Sequence, residues 1–332
     1  FSPVIVLTGL RLTFPGSSDA PLELSQGRII LDVLNSLRTA SLQMTQLELT
    51  ELSLRGELSQ GGKLQLNGFG GSEDGALEEL REFLLNVERA TLKNNLLKLT
   101  MPSGEVRELG LDLVLFRDGS RRHVQASLIS TTGTHVAIIA DGVGDPFRPE
   151  LFAGEAYLDI HSSDMGAVRE ILAIPNLPVR VEGALDLKLW FEWDKGQPTV
   201  EAQLEGRDLL IAGPDSEWEV PLNRVALQAR LVAQGNLWTA FASDIHVAKD
   251  DMKFTLSRMQ LDAWDNVLRV RASDVRLESL SAILTTLDAM PSTMREVLAT
   301  LQPRGRLSAL QLGIGDTRDP SKDWTLEVNF EE

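Results

Sequence analysis

Along most of this chain apolar residues fall on every second position. Leu109, Leu111, Leu113 and Leu115 form one such row, Leu185, Leu187, Leu189, Phe191 and Trp193 a second, and Val225, Leu227, Ala229 and Leu231 a third. A period of two marks a strand with one apolar and one polar face. About fifteen segments carry the pattern. So many one-sided strands must hide a large apolar surface, and where that surface goes is the functional question.

The first third reads as strand upon strand: Val4 to Leu12, Arg28 to Leu34, Leu42 to Leu49, Leu52 to Leu58 and Lys63 to Phe69. The phase slips between Met44 and Leu47 and again between Leu49 and Leu52. Each slip would turn side chains to the wrong face unless a bulge intervenes. Strands follow at Thr91–Leu99, Val106–Phe116, His123–Ser130, His135–Asp141 and Glu155–Ile160, with Asp118-Gly119 and Asp141-Gly142 as turn signals. Further on come Val179–Trp193, Thr199–Leu204, Asp208–Ile211, Arg224–Val232, Leu237–Val247, Lys253–Met259, Val267–Ala272, Arg306–Ile314 and Thr325–Phe330.

Three regions carry helical spacing instead. Leu77, Leu80, Leu84 and Val87 predict a helix over Ala76–Glu88, and Met165, Val168, Ile171 and Leu172 one over Met165–Ala173. The third covers Leu280 to Leu287, breaks at Pro291 and resumes to Leu301, with Thr293 and Glu296 as a capping-box pair. These divide the chain into segments 1–75, 76–178 and 179–332. A helix, a proline, a glycine and an alternating strand occur twice, ending at Pro178 to Leu187 and at Pro303 to Leu310. This hints at a repeated unit.

The net charge is -16, which argues against a nucleic-acid backbone as partner and against a purely electrostatic hold on an anionic membrane. With no cysteine there is no disulfide, thiolate site or cysteine nucleophile. No apolar run approaches the ~18 residues of a membrane-crossing helix. The chain starts at Phe1 with neither an initiator Met nor a signal-peptide pattern, and reads as an excerpt or a processed form.

Catalytic motifs are missing. His123, His135, His161 and His246 show no metal-ligand spacing, although His123 and His135 could face each other across a hairpin. Glu192 and Asp194 share a strand face, as paired acids of a glycosidase would, but fit the solvated face of an amphipathic strand better. His161, Ser162, Ser163 and Asp164 read as a helix cap rather than a triad. Asp250-Asp251 reads as a turn, and all six Trp lie between Trp190 and Trp324.

The apolar faces have three destinations: a sandwich, a barrel, or one long curled sheet whose apolar face stays open to a greasy guest. The residues leave all three available.

Three stretches resemble AsmA-like envelope proteins. Val6 to Leu12 through Leu47 to Leu54 is similar to the amino-terminal module of that family. Leu189-Trp190-Phe191-Glu192-Trp193-Asp194-Lys195-Gly196 and Met290 to Leu312 are similar to its YhdP branch. The resemblance implies a mostly β fold: an elongated, curled antiparallel sheet with an open groove of the repeating β-groove type and three short helical regions. It implies phospholipid transport without catalysis or cofactor, the acyl chains passing along the groove between inner and outer membrane. It also implies a periplasmic location, an inner-membrane anchor upstream and more β-groove downstream. Alternation and resemblance together nominate Leu47, Leu49, Leu64, Leu66, Leu111, Leu113, Leu187, Leu189 and Leu227 as groove lining. The competing readings are a β-sandwich scaffold or adhesion protein and a carbohydrate-active enzyme.

Overall fold

Val, Ile, Leu and Thr alternating with charged residues make strands, and the short Gly- and Asp-bearing links between them force neighbouring strands to be antiparallel. In the computed structural model seventeen strands and three short α-helices appear among the described residues. Those residues are 3–12, 22–39, 44–58, 64–66, 87–101, 104–145, 148–165, 180–212, 219–234, 236–264, 267–285, 292–315 and 324–330.

The chain forms two compact units. One comprises Phe1–Ile160, Val168–Pro175 and Asp194–Gly196; the other comprises His161–Ala167, Asn176–Trp193 and Gln197–Glu332.

In the first unit the strands are β1 (Val4–Leu12), β2 (Leu22–Leu31), β3 (Met44–Leu58), β4 (Leu64–Leu66), β5 (Arg89–Thr100), β6 (Val106–Asp118), β7 (Arg121–Ser130), β8 (His135–Val143) and β9 (Ala153–Ser162, to Ile160). From β1 to β8 they pair in chain order and antiparallel, with one exception: β3 pairs β5 in parallel, and β4 adds to the end of β3; β9 lies next to β8. That parallel pair is the exception in a sheet that is, as expected, mostly antiparallel. Residues 59–88 connect β3 to β5, long enough for the crossover that parallel pairing requires.

Helix α1 (Val33–Thr39) follows β2. It ends the strand expected to run to Leu34 at Leu31, because the Ser36 amide and hydroxyl both donate to the Asp32 carbonyl. The helix expected over Ala76–Glu88 lies largely outside the described residues; Val87 and Glu88 are described and are not helical. Of the one expected over Met165–Ala173, only Met165 is described, in helical conformation.

In the second unit β10 (Arg180–Asp194), β11 (Gln197–Ala212), β12 (Glu219–Gln234), β13 (Leu237–Lys249), β14 (Met252–Trp264), β15 (Val267–Arg276), β16 (Arg306–Ile314) and β17 (Trp324–Phe330) follow one another. From β11 onward each pairs antiparallel with the next. Helices α2 (Leu277–Thr285) and α3 (Ser292–Leu301) stand where the third helical region was expected, interrupted around Pro291. The two glycines aligned by the internal echo, Gly183 and Gly305, share a left-handed backbone with φ of 116° and 119°.

Among the described residues the strands of each unit pack against their hydrogen-bonded neighbours, and no second sheet lies on the first. Neither unit's sheet closes on itself as a barrel, so the sandwich and barrel destinations do not apply.

The turn at Asp118-Gly119 is present, with Gly119 at φ 59°. Asp141-Gly142 is not a turn. Both residues belong to β8, and Gly142 is required there because a Cβ would meet the Phe152 ring at 2.4 Å.

Candidate functional site

The phase slips in the sequence are resolved in the backbone. Within β3, Glu51 has φ 56°, and Leu47 and Leu49 before it share a face with Leu52, Leu54 and Leu58 after it. A residue in the left-handed region uses up one position without reversing the apolar face. The earlier slip, between Met44 and Leu47, is also a bulge. Ile30 pairs Gln46 while Leu31 pairs Met44, and the Thr45 left over donates its hydroxyl to the Ile30 carbonyl at 3.1 Å.

The device recurs. Gly9 in β1, Glu51 in β3 and Asn94 in β5 are left-handed in the first unit; Asp208 in β11, Asp244 in β13 and Asp274 in β15 are left-handed in the second. In the second unit these three stand on alternate strands, at matching places in the ladder, with Gly183 of β10 also left-handed beside Asp208; in the first, β3 and β5 are direct neighbours. Asp, Asn and Gly tolerate this conformation best, which explains the residue types. It also explains why Thr199–Leu204 and Asp208–Ile211, which read as two strands in the sequence, are one.

These interruptions divide the apolar face of each sheet. On one side the face is packed: Leu24, Leu52, Leu54, Leu58, Leu97, Leu99, Met101 and Leu109 form a buried cluster in the first unit. Leu209, Val220 and Leu222, with Ile245, Leu256, Val275 and Leu307, do so in the second. On the other side most side chains are only half-buried, and in the second unit Ala242, Met259, Ala272 and Leu310 pack against the margin of the cluster. In the second unit Ala202, Ala229, Ala242, Met259, Ala272 and Leu310 are successive cross-strand partners, flanked by Leu204, Leu227, Leu231, Leu261 and Val270. At about 4.8 Å per strand this row runs roughly 24 Å. Its lining holds no charge.

The nominated residues fall on these faces as follows. Leu49 and Leu111 pack at the margin of the large cluster of the first unit, and Leu47 against Val87, Ala90 and Leu115. Leu113 is half-buried, paired with Leu92 and Ala126. Leu227 lies opposite Leu204 and touches the second unit's cluster. Leu187 and Leu189 are half-buried on β10. Between them and Leu185, Asp186 faces the other way, to Arg207 at 2.5 Å. Leu64 and Leu66 belong to β4, beside Leu58 and Gly56; their side chains lie outside the described residues.

Two features were missed in the sequence reading. Asn95 sits on the apolar face of β5, only 3% exposed. Its Oδ1 accepts the Leu52 amide at 2.9 Å and its Nδ2 donates to the Leu111 carbonyl at 3.1 Å. It ties three strands together where the β3 and β5 interruptions leave backbone groups unpaired. The only signal was an Asn-Asn pair breaking an alternating run. The packing of helix α2 is the other: the helix was expected, but not that Leu277 and Leu280 pack onto the buried side of the second unit's apolar face. Glu278 accepts the Gly305 amide at 2.9 Å, which holds its carboxyl below the usual range.

The opposite faces are polar. Arg11–Glu23, Lys93–Glu48, Lys98–Glu108, Arg224–Glu205 and Arg230–Glu201 are ion pairs there, all solvent-exposed. Each contributes ~0–1 kcal/mol. The second unit's polar face carries a trough of about 860 Å³, with Trp190, Arg230, Phe241, Arg258, Arg271 and Gln311 among its walls. The one carboxylate lining it, Glu201, is held by Arg230, so the trough lacks the two acids that glycoside hydrolysis uses.

Other polar candidates resolve into local pairs. His123 stacks on Phe116 and bonds Asp141, its cross-strand partner, whereas His135 pairs Ile129 and reaches Ser127. The two histidines are therefore not neighbours across the hairpin. His161 bonds Asp186 at 2.7 Å, and Ser162 caps Asp164. Glu192 and Asp194 are both exposed on β10. Among the described residues no cluster of three metal-ligating side chains occurs, and no helix is long and apolar enough to cross a membrane.

An open β-sheet with one continuous apolar face, half of it packed and half accessible, defines an AsmA-like groove protein. A family model described as YhdP protein matches residues 1–332, the whole chain, and the chain belongs to the YhdP family. No curated protein and no solved structure matches it. Membership points to an envelope-associated role related to lipid transport.

Proposed function

We propose that the half-buried apolar bands hold phospholipid acyl chains, and that the chain is one stretch of a non-catalytic conduit carrying them between inner and outer membrane. On this reading it works in the periplasm, held by an inner-membrane anchor upstream and continued by more β-groove downstream. The observation that carries the reading is the accessible, charge-free row across β11–β16, together with its counterpart around Leu47, Leu49, Leu111 and Leu113.

The energetics fit. Each CH₂ kept from water is worth ~0.8 kcal/mol, so a bare sixteen-carbon tail crossing water costs about 12 kcal/mol. An aliphatic band lowers that barrier without offering a deep well. Leucine and alanine supply contact area but no polar group to fix one lipid, whereas a site built to select would place a few polar groups in the lining.

Mass spectrometry of the chain purified from envelopes under native conditions tests the proposal. The wild type is expected to carry phospholipid. Leu113→Asp and Leu189→Asp are expected to stay folded and lose it. A folded wild type that neither carries nor accepts acyl chains would overturn it. So would variants that simply unfold, since the two leucines would then be core.

A further inference from the structure

The trough on the polar face of the second unit is lined unlike the rest of that face. Elsewhere positive side chains stand opposite carboxylates. Here one row of cross-strand partners reads Gln228, Ser243, Arg258, Ser273 over four adjacent strands, without a carboxylate among them. Among the described residues the side chains of Arg258, Gln228, Ser243 and Ser273 make no ion pair or hydrogen bond. In the neighbouring row stand Arg230 and Arg271, on the strands flanking β13 and β14. The short Ser243, Ser273 and Ala309 side chains make the depression, and the long Arg and Gln side chains wall it. Arg230 is paired with Glu201 and Arg271 with the buried Asp262, so among the described residues Arg258 is the guanidinium of the trough left without a carboxylate.

A guanidinium flanked by two hydroxyls and an amide matches a tetrahedral oxyanion. The fork of Arg258 can bond two of its oxygens, and the serines and Gln228 supply neutral donors for the others. Beside them Trp190 and Phe241 are 42% and 44% exposed, an apolar surface for the group that carries the anion. Alternation turns the side chains of the row from Gln228 to Ser273 away from those of Ala229 and Ala242, although both alanines also border the trough.

We propose that this trough binds a soluble phosphate ester, its phosphoryl group at Arg258 between Ser243 and Ser273 and its organic part against Phe241 and Trp190. The proposal is independent of acyl-chain transport.

Calorimetric titration of the chain with inorganic phosphate and with phenyl phosphate tests it. Saturable binding is expected for both, tighter for phenyl phosphate and weakened by salt. Arg258→Gln is expected to weaken both about tenfold or more, the loss of one charge-assisted pair. Phe241→Ala should remove only the advantage of the phenyl ester, and Lys253→Gln, on the same strand outside the trough, should change nothing. Arg258→Gln leaves an exposed, unpaired position, so its thermal melt should match the wild type and its co-purified lipid should be unchanged. No binding by the wild type, or equal binding by Arg258→Gln, overturns the proposal. Arg258-dependent binding to vesicles containing anionic phospholipid, without binding of either soluble ester, overturns it as well.

Discussion

At the scale of single residues, a few positions hold strands together where the ladders break. Asn95 satisfies one donor and one acceptor in a setting that is 3% exposed. Asn95→Leu would leave the Leu52 amide and the Leu111 carbonyl unpaired and should cost about 1–3 kcal/mol, read from the midpoint of urea unfolding. Gly183 is similarly constrained. A Cβ there would lie 2.4 Å from the Asp208 carbonyl oxygen, which is backbone and cannot swing away, and φ is 116°. Gly183→Ala should therefore destabilise by about 1–3 kcal/mol, whereas Gly196→Ala, with nothing within 4 Å, should cost less. Glu51 is a left-handed non-glycine residue. Glu51→Gly should be tolerated, and Glu51→Val should cost roughly 1–2 kcal/mol, because a β-branched residue is the worst occupant of that conformation.

At the scale of elements, the strands were legible because alternation is a direct imprint of a one-sided sheet. Most expected strands stand within a few residues of their places. The split strands have one cause: where a left-handed residue absorbs a phase slip, a single strand looks like two, as at Glu51 and Asp208. The parallel β3–β5 pair was hidden because alternation carries no direction. The face of each leucine was readable, but which leucines are sealed and which stay accessible was not. That depends on cross-strand neighbours such as Ala229 and Ala242, and on α2 covering one side.

The joint between α2 and Gly305 depends on pH. Glu278 is held below its ordinary value of 4.5, first by the Gly305 amide, and Asp274 below 3.8, first by the bond from Arg306. A carboxylate lowered on folding stabilises above its unfolded pKa, and the gain is lost as pH falls through the folded value. Protection of the Gly305 amide, its exchange rate relative to the intrinsic rate at the same pH, should thus be high at neutral pH and fall on acidification. In Glu278→Gln the pH dependence should disappear.

At the scale of the whole molecule, each unit keeps one apolar face across all its strands and seals only part of it. A protein optimised for stability alone would cover the rest, since an exposed apolar band is normally a liability. Making the second unit's band polar with Ala229→Ser and Ala242→Ser should leave folding nearly intact and reduce acyl occupancy in native mass spectra. Equal occupancy would place the lipid elsewhere.

The spacing of Asp208, Asp244 and Asp274, on every second strand from β11 to β15, also bears on how such a stretch lengthens. A hairpin added or removed as a pair brings or takes away its own offset, so the greasy side of the sheet stays in phase. Losing a lone strand would leave a neighbour's offset unanswered and turn everything beyond it inside out. Growth and trimming of this architecture should therefore proceed in units of two.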